Sequence, residues 1–375
     1  MLAWGPVRIL LDYRPALRER TGVGEYAHQL AAAVARRLPL NDTLTLFSSS
    51  WKDRLAPDAI PGLPIVDARV PVTLLNLAWH RLEWPAVETL AGEADVAHSM
   101  HPLLIPSRRA AQVITIHDLY FLENPEHTSA EIRRDYPALA AGHARRADRV
   151  ITVSEHTAAE IRSRFGVPPE AITLCPPGAP DWTPLPRRNA AGPILFMGTL
   201  EPRKNVGALV RAYGELLARN PDAPPLVLAG RVAPACEAIL NDLQRPPLAG
   251  HARHIGYVNP EDRERLYREA SMLVLPSLKE GFGIPVLEAM TLGLPVIVSN
   301  RGALPEVAGD AGLQIDPTDP GAIASAMECL FRDADLAARR GAAGIARARR
   351  FSWDASAARL IDAYASAVER RRSRQ

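Results

Sequence analysis

Hydrophobic residues arrive along this chain in two rhythms. Short runs rich in Val, Ile and Leu alternate with stretches whose apolar residues recur every three or four positions. The first rhythm is that of strands buried on both faces and the second that of amphipathic helices. Their alternation argues for parallel sheets covered by helices. In the first half the pattern predicts strands over 7–12, 43–48, 64–67, 95–98, 112–116, 149–153 and 171–174. It predicts helices over 24–38, 77–91, 130–147 and 155–165, with Ser154 placed to cap the last. The second half repeats the alternation, with strands over 194–197, 226–229, 253–255, 271–275 and 295–299. Helices are expected near 205–219, 260–269, 285–292 and 320–331. A terminal helix over 352–368 gathers Trp353, Leu360, Ile361, Tyr364 and Val368 near one face.

Between the halves, Cys175 to Pro186 holds five prolines in twelve residues, which neither a helix nor a central strand accommodates. The expected division is a first Rossmann-like domain over 1–175, a linker over 176–192, a second over 193–351, and a terminal segment over 352–375. At 375 residues the chain is too long for one ordinary core, which agrees with two domains. A net charge of +2 leaves no basic footprint for nucleic acid. The cluster Arg370, Arg371, Arg372 and Arg374 reads as a frayed, solvated tail. Three widely separated cysteines, Cys175, Cys236 and Cys329, form neither a disulfide framework nor a metal knuckle. The opening apolar run is short and charged, unlike a signal peptide or a membrane span, so a cytoplasmic protein is expected.

The densest chemistry lies in Pro276 to Met290. A buried-type strand ends at Pro276, a turn with Gly281 and Gly283 follows, and Pro285 opens a helix with Glu288 in its first turn. Two carboxylates, Glu280 and Glu288, are thus carried to the C-terminal edge of a parallel sheet, where such sheets bind ligands. Glycines let backbone amides approach a ligand, and a helix N-terminus favours phosphate.

The eight-residue step from Glu280 to Glu288 resembles the E-x7-E signature of retaining glycosyltransferases of the GT-B fold, particularly the family-4 group. Other segments fall in that family's order. Thr21 to Tyr26 resembles its N-terminal Gly-rich loop, Ile116-His117-Asp118 its His-Asp element, and Gly198 to Asn205 its diphosphate loop. His254 to Val258 and Gly302 to Glu306 follow the same order. The resemblance implies two Rossmann-like domains facing across a cleft, the terminal helix crossing back to the first. It also implies a nucleoside diphosphate sugar as donor and no metal. Arg203 and Lys204 would then meet the diphosphate, Glu280 the donor sugar, Glu288 the ribose hydroxyls, and His117 the sugar from the first domain. Gly22, Gly24, Gly198, Val258, Phe282, Gly283 and Ile284 would line the donor.

The residues alone leave donor sugar and base open. The opening Leu11-Asp12-Tyr13-Arg14-Pro15 resembles mannosyltransferases of surface-polysaccharide assembly, which implies GDP-mannose and a glycan or lipid-linked acceptor, with room for a peripheral contact at the inner membrane face. A non-hydrolysing sugar-nucleotide epimerase on the same fold stands as an alternative, as does a silent nucleotide-sugar-binding scaffold. Gly22-Val23-Gly24-Glu25-Tyr26-Ala27 also fits a dinucleotide fingerprint, so a nicotinamide-dependent oxidoreductase is weighed too. It fares poorly, because Tyr13 to Thr21 separates these glycines from the first strand. Three further features read as structure. Asp333-Ala334-Asp335 is expected to cap a helix, His98 to His101 to form a loop beside the ligand, and Trp79 and Trp84 to be core.

Overall fold

The computed structural model describes residues 6–17, 20, 22–186 and 189–374, and places them in two compact units. One comprises residues 1–178 and 352–375, the other 179–351. Thr21 of the Gly-rich motif, Arg187 and Arg188 of the expected linker, and Gln375 lie outside the described residues.

Unit 1 is built on seven strands: β1 (Arg8–Asp12), β2 (Thr43–Ser48), β3 (Ile65–Asp67), β4 (Val96–Ser99), β5 (Ala111–Ile116), β6 (Arg149–Thr152) and β7 (Ile172–Leu174). Their order is β3-β2-β1-β4-β5-β6-β7, and every pairing is parallel. Unit 2 holds β8 (Ile194–Met197), β9 (Leu226–Ala229), β10 (Ala252–His254), β11 (Met272–Leu275), β12 (Val296–Ser299) and β13 (Leu313–Ile315). The order is β10-β9-β8-β11-β12-β13, again all parallel. In each sheet the order reverses beside the first strand, between β1 and β4 and between β8 and β11. At such a switch point the loops leaving the two strands part and open a crevice at the C-terminal edge.

Central strands β5, β8, β9, β11 and β12 are buried at every residue, which accounts for their unbroken apolar runs. β13 escapes the pattern, because it is short and only its last residue is buried. The predicted helix over 77–91 is two helices, Val72–Leu82 and Val87–Ala91. Pro85 explains the break, since proline removes a donor and restricts the residue before it. Trp79 is core, stacked on Phe47, whereas Trp84 is 63% exposed, against expectation. Asp333 caps helix Ala334–Ala348 by accepting from the Leu336 N–H, as expected.

The terminal helix runs from Trp353 to Arg372, capped by Ser352, and belongs to unit 1. Tyr364 bonds His98 at 2.7 Å, and the Trp353 ring lies 5.7 Å from that of Tyr26. The tail is not frayed through its described length. The helix continues through Arg372, and Arg374, in the turn beyond it, pairs with buried Asp148 at 3.1 Å. A helix C-terminus favours cations, which helps hold these residues helical. The proline-rich segment is also tied down. Pro176 accepts from Ser356 at 2.6 Å within unit 1, while Leu185 N donates to Leu292 and the Trp182 ring lies 5.8 Å from Tyr267 within unit 2.

Candidate active site

In unit 2, the loop after β8 and the loop after β11 meet at the switch point. Gly198 to Glu201 leads into a short 3-10 turn, Pro202–Lys204, and Asn205 then starts helix Val206–Arg219. The Leu278 N–H donates to Arg203 O at 2.8 Å, and Asn205 Nδ2 donates to Pro276 O at 3.3 Å, so the two loops are laced together. Glu280 sits between them. Its Oε2 accepts from Arg203 Nη1 at 2.8 Å, and its Oε1 from Lys204 Nζ at 2.5 Å and Ser277 Oγ at 2.7 Å. Arg203 also reaches Glu201 at 2.7 Å. Burial alone would push the Glu280 pKa up. The charges of Arg203 and Lys204, with hydrogen bonds from Lys204 and Ser277, outweigh it and hold the group at about 2. Three of the four predicted chemical residues thus form one buried cluster. The two cations are docked on Glu280, an arrangement the motif did not reveal.

Glu288 is the fifth residue of helix Ile284–Thr291, one residue deeper than predicted. The helix starts at Ile284, with Pro285 second, because Gly283 takes the cap position at φ 108°, a left-handed conformation. The backbone angle favours glycine, and a Cβ there would also displace Leu304 Cδ2, 2.5 Å away. The 5% exposed Glu288 carboxylate is gripped from helix Pro260–Glu269, with Arg263 Nη1 at 2.8 Å from Oε1 and Tyr267 Oη at 2.8 Å from Oε2. Sequence reasoning missed Arg263 and Tyr267. Their four-residue spacing puts them on one helix face, but in a run as charged as Pro260–Glu269 that spacing looks like any solvated helix.

Among the predicted donor-lining residues, Val258 lies half-buried in the loop after β10, and Gly198 directly after β8. Phe282 is buried, its ring edge-on to Phe351 with centroids 5.5 Å apart. Gly22 and Gly24 do not form a loop. They open helix Gly22–Arg37, and a Cβ on Gly24 would stand 2.5 Å from Pro15 O, so its glycine permits close packing. A 3-10 turn, Arg14–Ala16, intervenes between β1 and this helix, which is not the tight strand-to-glycine turn of a dinucleotide site.

His117 follows β5 at the C-terminal edge of unit 1. Its Nε2 faces Met100 O at 3.3 Å and its ring meets Tyr26 edge-on at 5.0 Å. A nitrogen aimed at a carbonyl carries the proton, so Nδ1 is the acceptor side. Burial lowers the His117 pKa to about 4, so the ring is neutral at pH 7. Contrary to the loop expectation, His98 and Ser99 belong to β4, and His98 is buried between Tyr364 and Thr115. His101 does lie beyond the strand. It sits 3.5 Å from Asp12, which is doubly hydrogen-bonded by Arg14 at 2.7 Å, while Arg14 also reaches Asn76 at 2.8 Å. This network occupies the unit 1 switch point. Nearby, His80, Glu131 and Asp135 bring ligand-type atoms within 4.8 Å of one another. Arg134 forks onto Asp135 at 2.7 and 2.6 Å and Glu131 accepts from Asn76, so these groups are compensated by the protein itself.

Residues 20–181 match the family described as Glycosyltransferase Family 4, and residues 192–333 that described as Glycosyl transferases group 1. Over 380 residues the chain is 33% identical to an O-antigen chain mannosyltransferase B of Escherichia coli, covering 96% of this chain and 99% of that relative. Sucrose-phosphate synthase from Thermosynechococcus elongatus has the same fold at TM-score 0.79 and 21% identity, over 96% of this chain and 98% of its own. HepE of Anabaena, solved in complex with UDP and glucose, gives TM-score 0.71 and 19% identity, over 96% and 99%. Two parallel sheets of this order, with such neighbours, show the GT-B fold. The chain belongs to glycosyltransferase family 4, whose C-terminal half is the group 1 domain.

Proposed function

We propose that this glycosyltransferase moves mannose from GDP-mannose to a glycan or lipid-linked acceptor of a surface polysaccharide, with retention of configuration and without a metal. The name of the E. coli relative, matched over nearly its whole length, supports the sugar and the setting. The observation that carries the chemistry is the pairing of Arg203 and Lys204 on Glu280, with Glu288 anchored nearby in the next helix. An arriving diphosphate offers the two cations a stronger partner, and Glu280 is released to accept hydroxyls of the donor sugar. Glu288, aimed by Arg263 and Tyr267, accepts the ribose hydroxyls. His117 accepts a sugar hydroxyl at Nδ1. The C1–phosphate bond breaks with its electron pair going to the phosphate, which Arg203 and Lys204 stabilise as charge develops. The acceptor oxygen bonds C1 on the same face, and the departing phosphate takes its proton.

The acceptor side is assigned to the unit 1 switch point, where Arg14 and Asp12 hold His101. No described helix is long and apolar enough to cross a membrane. Helix Val72–Leu82 does present Leu74, Leu77 and Leu82 outward, followed by exposed Trp84, with exposed Arg81 on the same helix. This face is assigned to contact with the bilayer surface that carries a lipid-linked acceptor.

Incubating the intact chain with GDP-mannose, UDP-glucose and UDP-N-acetylglucosamine, with and without a mannose-terminated oligosaccharide and EDTA, tests the reading by NMR. The expected result is GDP-mannose consumption, an α-linked product and full activity in EDTA. A β-linked product, loss in EDTA with rescue by manganese, or epimerised donor without acceptor would overturn it.

A further inference from the structure

The edge of the unit 1 sheet where strands begin lies opposite the one that carries Asp12, His101 and His117. There, five arginines line a cavity of about 440 Å³. Arg8 is the first residue of β1, Arg108 and Arg109 precede β5, and Arg371 and Arg372 end the helix Trp353–Arg372. A strand of five residues separates the two edges by roughly 15 Å, so this is not the site described above. A helix C-terminus favours cations. That accounts for Arg371 and Arg372, but not for the convergence of Arg8, Arg108 and Arg109 upon them.

The acids in the lining, Glu88, Glu93 and Asp95, do not balance the arginines. Glu93 and Asp95 both pair with Arg8, at 2.5 and 3.0 Å. Glu88 is committed to the loop before β5, accepting the Ser107 hydroxyl at 2.6 Å and the Arg108 and Arg109 backbone N–H groups at 3.0 Å each. Five cations face three anions, an excess of two positive charges. Arg371 Nη2 donates to Arg108 O at 3.3 Å, whereas its Nε is buried and has no hydrogen-bond partner. A buried donor left unmade is costly, and the missing partner here is an acceptor. The volume suits a small ligand, and guanidinium forks match phosphate oxygens in pairs.

We propose that this cavity is a second anion site, which binds a phosphate-bearing ligand remote from the sugar-transfer chemistry. The phosphate belongs either to a soluble diphosphate or to a lipid headgroup, and both present the same oxygens to the arginines. Occupancy ties the end of the terminal helix to the loop before β5.

Hydrogen exchange on the intact chain with added pyrophosphate localises the site. Protection is expected at 107–110 and 368–374, including in the Lys204→Ala protein, whose donor site is impaired. Arg109→Ala and Arg371→Ala should each weaken it about tenfold, as loss of one charge-assisted bond implies. Arg109 lies outside helices and strands, so its variant still tests the site if Arg371→Ala unfolds the terminal turn. Co-sedimentation with phosphatidylglycerol or phosphatidylcholine vesicles forms the second arm. Binding to the anionic vesicles alone, lost in both variants, assigns the phosphate to lipid; pyrophosphate protection alone assigns it to a soluble ligand. Protection confined to 198–204 and 280–288, binding unchanged by both variants, or no binding of either probe would overturn the proposal.

Discussion

At Glu280 two cations and a hydroxyl converge on one carboxylate. Removing one member of a buried ion cluster leaves the others uncompensated, at a typical cost of about 3–5 kcal/mol. Glu280→Ala should therefore lower stability without ligand, by urea denaturation, while leaving Arg203 and Lys204 ready for an anion. The expected signature is a turnover loss of roughly 10²–10³ with bare GDP binding as tightly as in the parent or tighter. Glu288→Gln should instead weaken GDP, because a neutral amide replaces a charge-assisted acceptor. Equal loss of GDP affinity in both variants, measured by calorimetry, would sink these roles. The spacing of Glu280 and Glu288 was legible because both belong to one local motif. That Arg203 and Lys204 are already docked on Glu280 was not, since Lys204 and its partner are 76 positions apart along the chain.

The same limit operates among the elements. Helix Pro260–Glu269 was predicted almost to the residue, from a pattern that repeats locally. What it does was hidden, because Arg263 and Tyr267 meet Glu288 only after the chain has folded. Tyr267 is fully buried, and Glu288 raises its pKa further beyond the effect of burial, so it remains a neutral hydroxyl donor. Tyr267→Phe should keep the fold and cost about tenfold in GDP affinity, the worth of one hydrogen bond to a charged group. The loss should shrink for 2′-deoxy-GDP, which lacks one of the hydroxyls that Glu288 is proposed to hold. An identical loss for both nucleotides would show that Tyr267 supports the helix and not the carboxylate. Elements with weak local signals were the ones misjudged. β13 is an edge strand with a single buried residue, and the helical period through 77–91 concealed the break that Pro85 imposes.

Across the whole molecule, buried titratable groups are divided unevenly. Unit 1 contains His98, His117 and His143, whose pKa values burial lowers to about 3, 4 and 4 from an ordinary 6.5. Below pH 6.5 the unfolded chain takes up protons that these neutral rings refuse. Their stabilising contribution is complete above 6.5 and is lost as pH falls towards 4. Glu280 in unit 2, held at about 2 against an ordinary 4.5, keeps its contribution down to 4.5 and loses it only below that. Acid should thus loosen unit 1 first. Trp182 is the one tryptophan of unit 2, so a Trp182→Phe protein reports unit 1 by fluorescence. Its transition should begin between pH 6 and 5 (roughly, from those values), ahead of that in the parent-minus-variant difference, which isolates Trp182. A simultaneous transition would refute the division.

Unit 1 is written in two pieces, with unit 2 inserted between them. On the ribosome this reverses the order of completion. The sheet made before unit 2 waits for residues made after it, because Tyr364 and Trp353 must arrive to cover His98 and Tyr26. Residues 179–351 form one continuous stretch and can finish earlier. A nascent chain arrested after residue 351 should therefore hold a protease-resistant unit 2 beside a protease-sensitive unit 1. Release of residues 352–372 then becomes the step that commits the enzyme to its finished form, and equal resistance of both units in the arrested chain would contradict it.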